Sequence, residues 1–327
     1  RMSYQFGEHT YINLSLKKST YPGIQNYIDF AFSDDIFQLL NSLNEEDYER
    51  EQILKMLQDV FQDDFETVYI PAGRSLITLL TSQLNYILSA MDDGQKKSID
   101  YCTQNYMERI LRLKPLFSDG MREMYYNKLF TTTIPLRKDI LTKLMETIDC
   151  ILKGKYQYAG GEERLFVNEH QYVKLNYSSS GQQEVIWILN LLFYYVLENR
   201  KIYLILEEPE SHLYPEAQSR VAEALGLFLN AGNHMLVTTH SPYILGSINN
   251  LMYAGKLSGQ YPELVEKIIA KERQMHAEHT AAYYVREGTL NNIMDDSEPL
   301  IQNSVIDGIS MEINDQMDQL LQIDMGE

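Results

Sequence analysis

Two adjacent glutamates, Glu207 and Glu208, directly follow an uninterrupted apolar run over residues 202–206. Such a run is typical of a central strand in a parallel sheet, and these sheets bind ligands at the carboxyl ends of their strands. Two carboxylates this close need a cation or a water network to coexist. A Mg²⁺ held through Glu207, with Glu208 polarising a water molecule, would meet that need and support phosphoryl transfer. The alternative is a solvated acidic loop after a strand.

A histidine at the end of another predicted buried strand, residues 235–238, is the second candidate. His240 lies between Thr239 and Ser241, and an imidazole beside hydroxyls can hydrogen-bond a terminal phosphate or the water that attacks it. The alternative is an ordinary polar histidine without a catalytic role.

The third candidate is the segment 178–184, Ser-Ser-Ser-Gly-Gln-Gln-Glu, at the start of a predicted helix. Small hydroxyl residues and a glycine at a helix N-terminus leave backbone N–H groups free to face an anion, and the helix dipole favours negative charge there. The alternative is an ordinary serine N-cap with Glu184 near the capping-box position.

Alternating strands and helices surround these candidates. The helix over residues 185–196 is apolar on nearly every side, which is typical of a helix buried between layers. The strands over 202–206 and 235–238 are followed by helices over 215–229 and from Pro242 onwards. This β-α-β-α order with short connections predicts an α/β layer fold.

The remaining segments have simpler patterns. Residues 4–12 predict two short strands around a glycine turn, and the spacing of apolar residues over 36–43 predicts a helix. Residues 76–153 are predicted to be a helical insertion, and residues 156–175 a small β-meander. The acidic tail from Asp295 has a weak helical period.

Charge and composition exclude some classes of function. The 327 residues include 28 Lys and Arg against 46 Asp and Glu, a net charge of −18. This negative charge disfavours nucleic acid as a partner, although binding through a local basic patch is still possible. Cys102 and Cys150 are too few for a disulfide scaffold and fit a reducing cytosol. With no apolar run long enough for a membrane span and no signal-peptide layout, we expect a cytoplasmic protein without a membrane partner.

The three candidates together resemble the head of an ABC-type ATPase. Residues 179–183 resemble the signature loop, with Ser180 where many members have a glycine. Residues 203–208 resemble the Walker B motif, with Glu207 in place of the usual aspartate.

Two further segments specify the branch. Residues 209–215, Pro-Glu-Ser-His-Leu-Tyr-Pro, are similar to the D-loop of the RecF-like and overcoming-lysogenisation-defect branch, and residues 239–242 match its switch-histidine loop. The motifs occur in the family's order, over residues 178–245. Residues 70–75 also resemble a stretch that precedes the helical insertion in bacterial defence ATPases of this branch; the alternative there is a plain turn with an exposed Arg74.

The resemblance implies an α/β fold of ABC-ATPase type: a mostly parallel sheet with flanking helices, a small antiparallel β-meander and a helical insertion. The implied parts are the remainder of an N-terminal ATPase lobe at 1–75, the helical insertion at 76–153, the ATPase core at 154–290 and an acidic C-terminal tail at 291–327.

The resemblance also implies residue roles, since ABC heads bind ATP between two protomers. Glu207 would hold the water shell of Mg²⁺, Glu208 would orient or deprotonate the attacking water, and His240 would sense the γ-phosphate. Four residues would reach the partner's nucleotide across the interface: Ser179, Ser180, Gly181 and Gln182. The D-loop residues would be Glu210, Ser211 and His212. The implied cofactors are ATP and Mg²⁺, and the implied assembly is a homodimer or a higher even-numbered homo-oligomer.

One motif of the family does not occur in these 327 residues: a G-x-x-x-x-G-K-[ST] phosphate loop. Residues 16–20 contain lysine and hydroxyls but no glycines to let the backbone cradle phosphate. In this family the loop precedes an early β-meander, and the sequence opens inside such a meander. We therefore expect the N-terminal phosphate-loop lobe to lie outside this sequence. The competing expectation is a degenerate head that no longer binds its own nucleotide.

The leading functional hypothesis is an ATP-hydrolysing sensor or switch subunit of a prokaryotic anti-phage defence system. A separate effector, such as a nuclease, would then be its partner. One alternative is a DNA-repair or chromosome-maintenance ATPase, which the net charge disfavours. Another is a non-catalytic scaffold that retains the motif loops only as interface elements.

Overall fold

The computed structural model describes residues 2–6, 9–18, 26–45, 48–61, 63–80, 90, 92 and 100–325. The chain divides into two compact units, Arg1–Phe65 and Glu66–Glu327. The four-part division derived from the sequence stays a prediction.

The first unit contains an antiparallel sheet followed by two helices. Its elements are β1 (Met2–Gln5), β2 (Tyr11–Lys18), β3 (Asn26–Phe32), α1 (Asp34–Glu45) and α2 (Arg50–Phe61). The pairing of β1 with β2 confirms the two predicted strands, while the turn residues Gly7 and Glu8 lie outside the described residues. Ile36 and Leu39 are buried on one face of α1, as the helical spacing predicts, whereas Leu40 of the same apolar set is 45% exposed.

The second unit begins with strand β4 and continues through helices and a second small sheet. Its elements up to residue 197 are β4 (Glu66–Ile70), α3 (Arg74–Leu80), α4 (Tyr101–Leu113), α5 (Gly120–Thr131), α6 (Lys138–Leu152), β5 (Lys155–Ala159), β6 (Glu162–Phe166), β7 (Tyr172–Lys174) and α7 (Ser180–Leu197). The elements that follow are β8 (Ile202–Glu207), α8 (Pro215–Asn230), β9 (His234–Thr238), α9 (Pro242–Ser258), α10 (Pro262–Glu266), β10 (Tyr283–Arg286), β11 (Thr289–Asn292) and α11 (Asn303–Met325).

A parallel sheet organises this unit. Among the described strands, β8 lies between β4 and β9, and both pairings are parallel. Helix α7 packs into the same core, with Trp187 and Phe193 fully buried. The predicted α/β fold with a parallel sheet and a buried apolar helix is therefore confirmed.

One face of the parallel sheet departs from the expectation of full burial. Leu204 and Leu206 are buried, whereas Tyr203 is 36% exposed on the opposite face and Leu236 of β9 is 47% exposed. Apolar residues occupy both faces of these strands, so the sequence contains no alternation from which an exposed face could be predicted.

The helical region and the β-meander also follow the sequence pattern. Helices α3 to α6 contain most of the described residues between 76 and 153, and β5, β6 and β7 form an antiparallel meander. A 3₁₀ turn over Lys114–Phe117 separates α4 from α5.

A buried carboxylate joins the helical region to the meander and to α7. The Glu163 side chain accepts hydrogen bonds from the Trp187 indole and the Tyr156 hydroxyl, both at 2.9 Å. Its other oxygen lies 2.6 Å from the Lys114 ammonium, and both charged side chains are at most 8% exposed. Burial lowers the pKa of Lys114, while the carboxylate opposes that shift. This network fixes the position of α7, whose N-terminal end contains the third candidate segment, residues 178–184.

We predict that Glu163→Ala lowers the free energy of unfolding by about 3–5 kcal/mol, because it leaves a buried ammonium without its counter-ion. Urea unfolding measures this change. Glu169→Ala is the control, since Glu169 is exposed in the loop after β6, and its effect should stay within about 0.5 kcal/mol. Equal effects of the two variants would contradict the assigned role of the network.

Candidate functional site

Glu208 and His240 meet at the carboxyl edge of the parallel sheet. Glu207 pairs with Thr238 in the register of β8 with β9, so both strands end at the same level. The Glu208 N–H donates to the Thr238 carbonyl at 2.9 Å. Beyond the strands, His240 Nε2 lies 3.7 Å from Glu208 Oε1, and the two side chains are 89% and 39% exposed. Both predicted catalytic residues therefore lie at one solvent-accessible edge of the sheet.

The backbone of Glu208 takes a conformation that few non-glycine residues adopt. Its φ is +41°, in the left-handed region. Ser211 closes the turn, since its N–H donates to the Glu208 carbonyl at 3.2 Å and its hydroxyl donates to Glu208 Oε2 at 3.2 Å. Strained backbone of this kind persists only where the surroundings hold it, and it is common at functional sites.

Glu207 is tied to the loop that follows β4. Its Oε2 accepts a hydrogen bond from the Ala72 N–H at 3.0 Å. Glu207 also bonds the Tyr69 hydroxyl, and burial together with this carboxylate raises the pKa of Tyr69 to about 12. The carboxylate of Glu207 is therefore oriented by a neighbouring strand, while that of Glu208 faces the histidine.

A fully buried arginine holds both glutamates by their backbone. Arg74 Nη1 donates to the carbonyls of Pro71 and Glu207, each at 2.6 Å, and Nη2 donates to the carbonyl of Glu208 at 2.9 Å. The side chain of Arg74 has no exposed area, so the alternative of a plain turn with an exposed arginine is wrong. Five donors in a rigid fork allow one guanidinium to bind several acceptors at once.

The counter-ion of Arg74 is Glu184 in the first turns of α7. Glu184 Oε2 lies 3.5 Å from Arg74 Nε, and the glutamate is 2% exposed. The same carboxylate accepts the backbone N–H groups of Arg74 at 3.0 Å and Ser75 at 2.9 Å. Glu184 therefore stabilises the start of α3, where the helix dipole favours a negative charge.

The capping box at the start of α7 uses a different residue from the one the sequence indicated. Ser179 is the N-cap, and Gln182 rather than Glu184 completes the box. The Gln182 N–H donates to the Ser179 hydroxyl at 3.3 Å, and the Gln182 amide donates to the Leu152 carbonyl at 2.7 Å. The side chains of Ser179 and Gln182 thus have partners within the chain, while Ser180 is exposed.

Gly181 packs against the loop that follows the two glutamates. A Cβ at this position would lie 2.6 Å from the His212 carbonyl oxygen, a distance that only a glycine tolerates. His212 itself has φ +59° and an exposed side chain. The structure therefore brings Gly181 to His212, and Glu208 to His240, around one loop.

Glu210 connects that loop to the histidine segment. Its Oε1 accepts hydrogen bonds from the Thr239 hydroxyl and the His240 N–H, both at 2.7 Å. Glu210 is 9% exposed, and its Oε2 has no hydrogen-bond partner among the described residues. Ser241 then caps α9, accepting from the N–H groups of Tyr243 and Ile244. The position of the His240 backbone thus depends on Glu210.

Comparison with known families identifies the chain. The model of a family described as AAA ATPase domain matches residues 5–245. The chain belongs to this family. No curated protein matches it.

Two solved structures are similar to this AAA ATPase-family chain at low identity. One comes from work on ATP-driven dimerisation and DNA-stimulated activation of SMC ATPases; it is 12% identical with a TM-score of 0.32, covering 55% of this chain and 91% of that one. The other is an Smc head bound to the C-winged helix domain of ScpA, 12% identical with a TM-score of 0.33, covering 73% of this chain and 62% of that one.

The chemistry of this edge is compatible with a magnesium ion that arrives with a nucleotide. Mg²⁺ is usually bound by one or two carboxylates together with phosphate and water oxygens, and Glu207 would supply one of them. In the described part of the chain, no group of three or more His, Cys, Asp or Glu could hold a metal by itself. Nor is any described helix long and apolar enough to cross a membrane.

Sequence reasoning missed Glu184 and Tyr69 and left the environment of Arg74 open. Glu184 and Arg74 are 110 residues apart, and no local pattern signals such a pair. The one available signal was an arginine directly after the Pro-Ala-Gly turn at 71–73, which itself follows the apolar run Val68-Tyr69-Ile70.

We predict that Arg74→Lys lowers the free energy of unfolding by about 3 kcal/mol, because an ammonium cannot span the carbonyls that the guanidinium binds. Urea unfolding measures the change. Arg122→Lys is the matched control: the Arg122 side chain is 57% exposed and bonds Asp149 at 3.1 Å, so its replacement should cost less than about 1 kcal/mol. Similar stability of the two variants would argue against the clamp.

Gly181→Ala should lower the free energy of unfolding by about 1–3 kcal/mol, since the added methyl group would displace the His212 backbone. Gly246→Ala is the control within helix α9, where a Cβ would meet no atom within 4 Å. There the change should stabilise the helix by up to about 1 kcal/mol. Thermal unfolding shows whether each substitution raises or lowers stability. A stabilised Gly181→Ala protein would be inconsistent with the close approach of Gly181 to the His212 carbonyl.

Proposed function

We propose that this chain hydrolyses ATP as one protomer of an ABC-type head and acts as a sensor or switch for a separate effector in a prokaryotic anti-phage system. The observation that carries the ATPase proposal is the approach of Glu208 to His240, at 3.7 Å, on the carboxyl edge of the sheet. Membership of the AAA ATPase domain family supports the reaction class. The proposed defence role, and the proposed effector such as a nuclease, rest on the resemblance of residues 207–215 to the motif found in bacterial anti-phage ATPases.

The residues at this edge of the sheet have different roles in the proposed reaction. Glu208 orients or deprotonates a water molecule, and its strained backbone, held by Arg74 and Ser211, keeps the carboxylate aimed beyond the strand end. His240 extends into solvent and can donate to a terminal phosphate oxygen. Positioning of this kind supplies much of the rate in phosphoryl transfer.

The metal-binding role belongs to Glu207. A bound Mg²⁺ would neutralise the negative charge of the phosphates. Glu207 would hold the water shell of this ion, and the Ala72 N–H restrains the orientation of its carboxylate.

The first turn of α7 is proposed to meet the nucleotide of a partner protomer. Because Ser179 and Gln182 bond each other in the capping box, their side chains mainly shape this turn. The exposed Ser180 hydroxyl and the first-turn N–H groups without an intrahelical acceptor would face an anion at the N-terminus of this 18-residue helix. Gly181 lets the D-loop carbonyl of His212 pack directly beneath this turn. The resulting assembly is a homodimer or a higher even-numbered homo-oligomer.

A non-catalytic scaffold is the second candidate. It is favoured by the same capping box, in which Ser179 and Gln182 have partners within the chain. A scaffold would assemble equally well with and without Mg²⁺·ATP. Native mass of the complete gene product together with the protein encoded beside it, in both conditions, separates the two candidates: nucleotide-dependent doubling supports the ATPase.

We predict that Glu208→Gln lowers ATP turnover at least about 100-fold, the usual contribution of a general base. Nucleotide affinity should stay unchanged, since binding of the ground state is not removed, and the dimer should accumulate. Steady-state phosphate release and equilibrium nucleotide binding of the complete gene product measure the two effects. Glu216→Gln, at an exposed position of α8, is the control. Turnover near the wild-type rate in Glu208→Gln would refute the assignment.

A further inference from the structure

Helix α11 carries an apolar stripe that faces solvent. Ile313, Met317 and Leu320 follow one another at i, i+4 and i+7, and Leu321 extends the same face. These side chains are 58%, 57%, 62% and 47% exposed, respectively. An amphipathic helix of a globular protein normally buries such a stripe, so this face has the composition of a contact surface.

The charges on the same helix have one sign. Residues 303–325 contain no Lys, Arg or His. Four carboxylate side chains of the helix are exposed: Glu312, Asp315, Asp318 and Asp324. The first three are spaced at i, i+3, where like charges repel each other and weaken a helix. A cationic neighbour would remove that repulsion.

A buried amide side chain attaches the segment just before α11 to helix α9. The Asn249 side chain donates to the Ile301 carbonyl at 2.9 Å and accepts the Ile301 N–H at 2.8 Å. Asn249 is 8% exposed and lies on α9, the helix that begins two residues after His240. The start of α11 is therefore held on a packed helix.

We propose that α11 docks, by its apolar stripe, into a partner protein whose apolar groove is rimmed by Lys or Arg. This is helix-in-groove recognition, with anchors at helical spacing. The charge pattern decides the occupant. A second copy of α11 would place carboxylates against carboxylates, and like charges across an interface oppose association. An anionic membrane surface would repel the helix for the same reason. The proposal does not depend on ATP hydrolysis.

The test uses the 327-residue chain and a fluorescent synthetic peptide of leucine and lysine, with the leucines at i, i+3, i+4 and i+7. Two comparison peptides have glutamate in place of lysine, or the same composition in scrambled order. Fluorescence anisotropy measures binding, and hydrogen exchange locates it. Met317→Ser/Leu320→Ser removes the centre of the stripe, and Ile268→Ser is the control, since Ile268 is 84% exposed outside α11.

The expected result is binding of the leucine-lysine peptide that weakens with added salt and slows hydrogen exchange within residues 312–325. The double variant should bind it at least about tenfold more weakly, a loss of about 1.4 kcal/mol, while Ile268→Ser binds like the unchanged chain. Failure to bind, equal binding of the scrambled peptide, or equal binding by the double variant would each overturn the proposal. So would self-association of the chain that the double variant abolishes, since the occupant would then be a second copy.

Discussion

A buried guanidinium sets the geometry of the candidate site. Removing a charge from water costs several kcal/mol unless a counter-ion and hydrogen-bond acceptors replace the solvent. For Arg74 these acceptors come from three segments: the turn after β4, the start of α7 through Glu184, and the end of β8 through the carbonyls of Glu207 and Glu208. Because each acceptor must stay within reach of one rigid fork, the three segments have little freedom to move independently.

Through the loop after β8, this constraint also acts on Glu208 and His240, the proposed catalytic residues. Glu208 stays in the left-handed region because Arg74 and Ser211 bond its carbonyl. Two residues further on, the carboxylate of Glu210 bonds the His240 backbone. The approach of Glu208 to His240 therefore follows from backbone contacts on both sides of the pair, and a change in this loop would alter both residues together.

Several residues that the family resemblance assigns to nucleotide binding also have structural roles within the chain. Gly181 allows the His212 carbonyl to approach α7 closely, and Gln182 joins the capping box to the Leu152 carbonyl. Loss of function on mutating them would therefore not by itself demonstrate nucleotide contact. Glu208 and His240 are more informative, because their side chains extend from the sheet edge toward solvent and do not pack in the core.

The sequence alone determined the elements and the candidate edge. Helical spacing and apolar runs predicted α1, α7, β8 and β9, because such periodicity arises within one element, and the family resemblance assigned Glu208 and His240 to one nucleotide site. Only the tertiary structure decided the burial of Arg74, its pairing with Glu184 and the exposed face of the parallel sheet. The pair joins residues 110 positions apart, and the sheet face lacks any alternation. Contacts between distant segments leave no periodic trace in a single sequence.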